Sequence, residues 1–209
     1  GEQPEDGGVV LGVVAEQQQP AARRQRRAQC EERRQLVAEL PGQLAPAAAA
    51  EQPELVLEGE AVELDVKDEQ AVTELMRTIK SKHGSLDSLV NLAYCPHSKG
   101  VGELSGAEFG NALELNVGKA FHLARESKAL MKPGSSIILF SSMYGSVSPD
   151  PRIYQPPMKP NAIEYGVSKA GIEQMVRYLA VAWAPDGIRV NSVSPGPFPH
   201  PGQQKADPA

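Results

Sequence analysis

Tyr165 and Lys169 stand four residues apart in EYGVSKAG, residues 164 to 171. In a helix that spacing is just over one turn, so a phenol and an ammonium project from the same face and can act as a unit. A free tyrosine titrates near about pH 10, too high for proton transfer at neutrality, and a fixed positive charge nearby favours the phenolate. A phenol tuned in this way is a usable general acid or base. The same pair is common on ordinary solvated helix faces, so its meaning depends on what stands beside it. Ser142 closes the apolar run SSIILFSS, and a hydroxyl there can hydrogen-bond a substrate oxygen while Tyr165 exchanges that oxygen's proton.

These residues have to be positioned by a frame, and the frame is regular from Glu54 onward. AVELDV, ending at Val66, alternates as a strand does. Asp68 then caps an amphipathic helix with Val72, Leu75, Met76 and Ile79 on one face, and Gly84 stops it. SLVNLA, residues 88 to 93, reads as a short apolar strand. Ser105 with Glu108 three residues on forms a capping box, predicting a helix that runs to about Met131 before Pro133-Gly134. A third strand at 135 to 142, the helix of Tyr165 and Lys169, and the strand IRVNSVS complete the series. Strand and helix alternate, which predicts an α/β fold with a doubly wound parallel sheet whose ligands sit at the carboxyl ends of the strands. Asp65, Asn91, Ser141-Ser142 and Pro195-Gly196 fall at those ends and share one rim.

Length and composition set limits. A chain of 209 residues with 41% hydrophobic residues and a formal net charge of −5 suits one large domain. That charge gives no global attraction to nucleic acid or membrane, and no apolar run is long enough to span a bilayer. The expected location is cytoplasmic. Cys30 and Cys95 have neither paired spacing nor histidine neighbours, so they read as free thiols and no metal site is expected. Residues 1 to 53 differ from the rest, being biased toward Ala, Gln, Arg, Glu and Pro. Within them Gly7 to Ala15 reads as a buried strand and Ala21 to Leu40 as a charged helix. The basic run at Arg23 to Arg27 is followed at once by Glu31 and Glu32 and has no interleaved aromatic residue, which argues against nucleic-acid binding.

From about Glu54 to Phe198 the chain resembles the short-chain dehydrogenase/reductase family, nicotinamide-dependent oxidoreductases with a Rossmann fold. LDV, residues 64 to 66, is similar to the family's adenine-contacting turn, and VNLA, residues 90 to 93, to its Asn-Asn-Ala-Gly motif, with Asn91 kept and Leu92 and Tyr94 in place of the second Asn and the Gly. ELNVGKAF supplies Asn116, the family's helix-bending asparagine, FSSMYG supplies Ser142, EYGVSK supplies Tyr165 and Lys169, and VSPGPF resembles the Pro-Gly loop along the nicotinamide. The resemblance implies NAD or NADP as cofactor. Asp65, Val66, Asn91, Ala93, Tyr165, Lys169, Pro195 and Gly196 would contact it, and Asn116, Ser142, Tyr165 and Lys169 would form the catalytic set. In that set the Asn116 carbonyl holds a water near the lysine. The resemblance also implies a small-molecule substrate and a homodimer or homotetramer.

The chain departs from the family pattern in two places. Between Ser142 and Tyr165 lies an insertion carrying Pro149, Pro151, Pro156, Pro157 and Pro160, stiff and extended by its prolines. It is placed to wall a substrate pocket with Arg152, Tyr154, Met158 and Lys159 as candidate contacts, or it is a plain surface excursion, and similar insertions occur in members resembling sugar or sugar-acid dehydrogenases. The expected substrate is therefore polyhydroxylated. The second departure is the missing glycine-rich turn after the first strand, where Glu16 and Gln17 to Gln19 stand instead. A carboxylate there repels phosphates. The expectation is a Rossmann-like domain at 54 to 209, incomplete at its glycine-turn unit and at its C-terminus, behind an atypical segment at 1 to 53. The rival reading is a catalytically impaired or scaffolding member.

Overall fold

The structure, a computed structural model, describes residues 9–13, 62, 64–95, 99–154 and 160–196. Four parallel strands form one sheet in the order β1 (Val10–Val13), β2 (Ser88–Asn91), β3 (Ser136–Phe140) and β4 (Arg189–Val193). The expected Rossmann-like parallel arrangement is present. Register brings the strand ends level: Val13 faces Asn91, Asn91 faces Leu139, and Phe140 faces Val193. The segments that follow β2, β3 and β4 therefore emerge on one rim.

Helices α1 (Glu69–His83), α2 (Gly106–Leu113), α3 (Lys119–Lys128) and α4 (Ile163–Trp183) connect and cover the strands. Asp68 caps α1, its carboxylate accepting from the amides of Gln70 and Ala71, and Gly84 ends it at φ 79°, where a side chain is strained. The capping box at Ser105 and Glu108 forms as the sequence predicts. Leu11 and Val13 of β1, Leu89 of β2, Ile137 and Leu139 of β3 and Val190 of β4 join Val72, Met76 and Ile79 of α1 in one apolar cluster. Leu123 and Ala124 of α3 and Ile172, Val176 and Leu179 of α4 complete it, so the helix bearing Tyr165 and Lys169 is anchored by its inner face.

Two sequence expectations are corrected. The helix from Ser105 does not run unbroken to Met131: Glu114–Gly118 is a π-helical turn between α2 and α3, and α3 ends at Lys128. Val62, Leu64 and Asp65 of AVELDV are not in a strand. Asp65 accepts from the Lys67 amide through its side chain and from the Asp68 amide through its carbonyl, so local turn bonds replace a ladder. The proposed helix at 21 to 40 and most of the atypical segment at 1 to 53 lie outside the described residues.

Candidate active site

Most polar side chains that the fold buries lie near one rim of the sheet. Asn91, Asn116, Ser141, Ser142, Glu164, Ser168 and Lys169 are all buried. Polar burial is informative in a way that apolar burial is not, because each such group must find a partner or a use.

Lys169 projects from α4 to the end of β3, where its ammonium donates to the Phe140 carbonyl at 2.7 Å. One turn earlier on the helix is Tyr165, and the ammonium lies 5.6 Å from its ring centroid. The residue is only 8% exposed, and burial lowers the Lys169 pKa from its ordinary value. Tyr94, in the loop after β2, meets Tyr165 edge to face with centroids 5.1 Å apart and covers the same ammonium at 5.2 Å. Burial foremost, and then the Glu164 carboxylate, push the Tyr94 phenol up, so it stays protonated.

Ser142 begins the 3-10 turn Met143–Gly145, and its hydroxyl oxygen accepts from the Tyr144 amide at 3.2 Å. That bond uses a lone pair and leaves the hydroxyl hydrogen available to a substrate oxygen. The turn sits on α4: Tyr144 and Tyr165 are T-shaped at 6.5 Å, and the Tyr144 carbonyl lies so near Gly166 that an added Cβ would meet it at 3.0 Å. The hydroxyls of Tyr144 and Tyr154 share a hydrogen bond, which together with burial pushes the Tyr154 phenol up to about 12. Tyr154 of the insertion thus joins the aromatic wall beside Tyr165. Arg152 does not: its guanidinium forks onto Asp150 and its side chain is 88% exposed.

The π turn explains Asn116. Widening the helix there turns the carboxamide inward, where its oxygen accepts from the Cys95 amide at 2.7 Å and its nitrogen donates to the Cys95 carbonyl at 3.0 Å. One side chain so fixes the loop that carries Tyr94. Asn91 accepts from the Ala93 amide at 3.0 Å, stiffening the start of that loop. Asn91, Ala93, Tyr94, Asn116, Ser168 and Lys169 line a small, partly open pocket of about 10 Å³, roughly the size of one water. Pro195 accepts from the Met143 amide through its carbonyl at 3.3 Å, binding the segment after β4 to the Ser142 turn, and Gly196 is exposed beside it. Asp65 is exposed in its turn and Val66 packs on the core.

The fold therefore brings together Asn116, Ser142, Tyr165, Lys169, Asn91 and Ala93. Asp65 and Arg152 are engaged elsewhere, and Met158 and Lys159 lie outside the described residues. Sequence reasoning assigned no role to Tyr144, Ser168 or Glu173, and it noted Tyr94 only as a replacement. Helical spacing was an available signal for Glu173, which follows Lys169 by one turn.

A family model described as enoyl-(acyl carrier protein) reductase matches residues 33–208. The enoyl-acyl-carrier-protein reductase (NADH) FabI of Synechocystis sp. is 38% identical over 150 residues, covering 70% of this chain and 52% of that protein. Among solved structures, a dehydrogenase/reductase from Sinorhizobium meliloti 1021 aligns with a TM-score of 0.60 at 25% identity, covering 90% of this chain and 62% of that one. BdcA in complex with NADPH aligns with a TM-score of 0.53 at 29% identity, covering 66% of this chain and 52% of that one. The chain spans about half the length of the curated relatives it matches.

Proposed function

Because the chain belongs to the short-chain dehydrogenase/reductase family, we propose that it is a nicotinamide-dependent oxidoreductase interconverting an alcohol and a carbonyl at the Ser142, Tyr165 and Lys169 cluster. The observation that carries this reading is the buried Lys169 ammonium, held by the Phe140 carbonyl at the sheet rim and lying against the Tyr165 ring. A cation is costly to bury and the protein positions this one beside a phenol, as a proton-transferring site requires.

Tyr165 gives its proton to the substrate oxygen in reduction and takes it back in oxidation. Ser142 donates its free hydroxyl hydrogen to the same oxygen and fixes its position. Lys169 supplies the neighbouring positive charge, and Asn116 holds the loop after β2 in place. NAD or NADP, when bound, supplies or receives the hydride, which no side chain can do.

The residues present fit the nicotinamide-ribose end of such a cofactor. Lys169 spends one of its three hydrogens on Phe140 and keeps two for ribose hydroxyls, and Pro195 and Gly196 stand at the same rim. At the pyrophosphate end the segment after β1 lies outside the described residues, and its sequence offers Glu16 and glutamines rather than glycine. We therefore expect weak cofactor binding. A scaffolding role is the second reading, favoured by that same sequence.

For the substrate we favour a polyhydroxylated carbonyl compound over an enoyl thioester. Tyr94 and Tyr144 meet the Tyr165 ring and Tyr154 bonds to the Tyr144 hydroxyl, and aromatic rings bearing hydroxyls suit a sugar better than an acyl chain. Exposed Val167, Tyr178 and Val181 on α4 support a homodimer or homotetramer, checked by sedimentation. Among the described residues no helix is long and apolar enough to cross a membrane, and we read the protein as cytoplasmic. The deciding experiment follows the absorbance of NADH and NADPH with D-fructose and with crotonyl-CoA, in the parent and in Tyr165→Phe. Ketose reduction that the variant loses by about 10²- to 10⁴-fold supports the proposal. Turnover of crotonyl-CoA alone, or an undiminished variant, overturns it.

A further inference from the structure

We propose that Glu173 is a positioning residue whose carboxylate ties both walls of the site to the helix that carries Tyr165 and Lys169. Glu173 lies one turn beyond Lys169 on α4, and its side chain is 12% exposed. Its Oε1 is within hydrogen-bonding distance of three serine hydroxyls: Ser141 at 3.0 Å, Ser146 at 3.2 Å and Ser194 at 3.4 Å. Oε2 accepts from Ser146 at 3.1 Å and faces the Arg177 guanidinium at 3.6 Å. Ser141 and Ser146 bracket the turn that begins with Ser142, and Ser194 precedes Pro195 and Gly196. One carboxylate therefore holds both sides of the Ser142 turn and the root of the segment after β4.

The backbone confirms how closely the turn is drawn onto the helix. A Cβ at Gly145 would meet Glu173 Oε1 at 2.8 Å, Ser141 Oγ at 2.8 Å and the Lys169 backbone carbon at 2.9 Å. Only a hydrogen fits there. Ser141 also lies 2.9 Å from the Lys169 carbonyl, so the same hydroxyl sits between the lysine's own backbone and the carboxylate. A carboxylate suits the position because it is acceptor-only, offers about four lone-pair sites and forms stronger bonds with hydroxyls than a neutral acceptor does.

The walls matter to catalysis only on the reading proposed above, but the clamp itself rests on geometry and is tested without turnover. Hydrogen exchange followed by mass spectrometry on the full chain reads the amides of Ser141, Met143, Gly145, Ser146 and Val147, which all bond within or across the two walls. In Glu173→Ala, exchange in segments 141–147 and 192–196 should quicken roughly tenfold while α1 keeps the parent rate. Glu173→Gln should stay within about threefold of the parent, since its amide keeps an acceptor oxygen and its nitrogen can donate to Ser146. Should the alanine variant fail to fold, Ser194→Ala decides: 192–196 and the Ser141 and Met143 amides, which donate to Val193 and Pro195, quicken, while the Gly145, Ser146 and Val147 amides keep the parent rate. Unchanged exchange in both walls, equal quickening throughout the chain, or a Gln variant as fast as the Ala variant overturns the proposal. An inactive parent with localised exchange changes would count against the oxidoreductase reading and leave the clamp standing.

Discussion

Exchanging Lys169 for Met removes a charge and keeps an unbranched stem of similar length. The ammonium lost donates to the Phe140 carbonyl at 2.7 Å, and that charge-assisted bond is worth about 1.5–3 kcal/mol. Against this stands relief from holding a cation out of water, an effective penalty of about several kcal/mol for a well-buried ion. The terms are similar in size and opposite in sign, so Lys169→Met should unfold within about 2 kcal/mol of the parent at neutral pH. Turnover that depends on the cation should fall by about 10²- to 10⁴-fold. A pH signature separates this from a general loss of packing. The folded pKa of Lys169 lies below its ordinary value of 10.5, so the folded state resists protonation there more than the unfolded chain does. The group's contribution to stability is present above 10.5 and is lost as pH falls through the folded value. Urea unfolding followed by the fluorescence of Trp183, the single tryptophan, should show the parent gaining on the variant as pH rises toward 10.5. A variant destabilised by more than about 4 kcal/mol at neutral pH would make the ammonium a structural support and refute the reasoning. So would parent and variant curves that stay parallel.

Tyr94→Phe should have the opposite alkaline signature. The raised folded pKa of Tyr94 gives a contribution that is full below the ordinary value of 10.0 and lost as pH rises through the folded one. The parent should therefore lose stability above that pH relative to the variant, measured by the same urea series. Asn116→Ala strips both bonds from the Cys95 backbone and leaves its amide and carbonyl unpaired, which should cost about 2–4 kcal/mol. A urea midpoint that barely moves would show that the π turn holds its shape without the carboxamide.

The sequence was most legible where a signal is local. The Asp68 cap, the Gly84 stop and the capping box at Ser105 and Glu108 are read within four residues and appear as expected. Helical spacing alone put Tyr165 and Lys169 on one face, and strand-helix alternation alone predicted the parallel sheet and its rim. AVELDV misled because alternation describes a surface that can be half-buried, whereas a ladder needs a partner strand, and Asp65 and Asp68 offered the backbone nearer partners. The distortion at Asn116 was legible only through the family resemblance, because nothing in the helix periodicity registers a loop 21 residues away whose Cys95 backbone draws Asn116 inward.

What chain order determined, then, was the identity of the chemical pair and the frame that carries it, because caps, turns and periodicities act over a few residues. What tertiary structure alone decided was the surroundings of that pair. Tyr94 covers Lys169, Tyr144 meets Tyr154 beside Tyr165, and three serines reach one glutamate. Those contacts join residues up to 75 positions apart, as from Tyr94 to Lys169, and no local pattern encodes them. They exist because parallel strands in register deliver distant loops to a common edge, where close packing leaves each side chain few places to go.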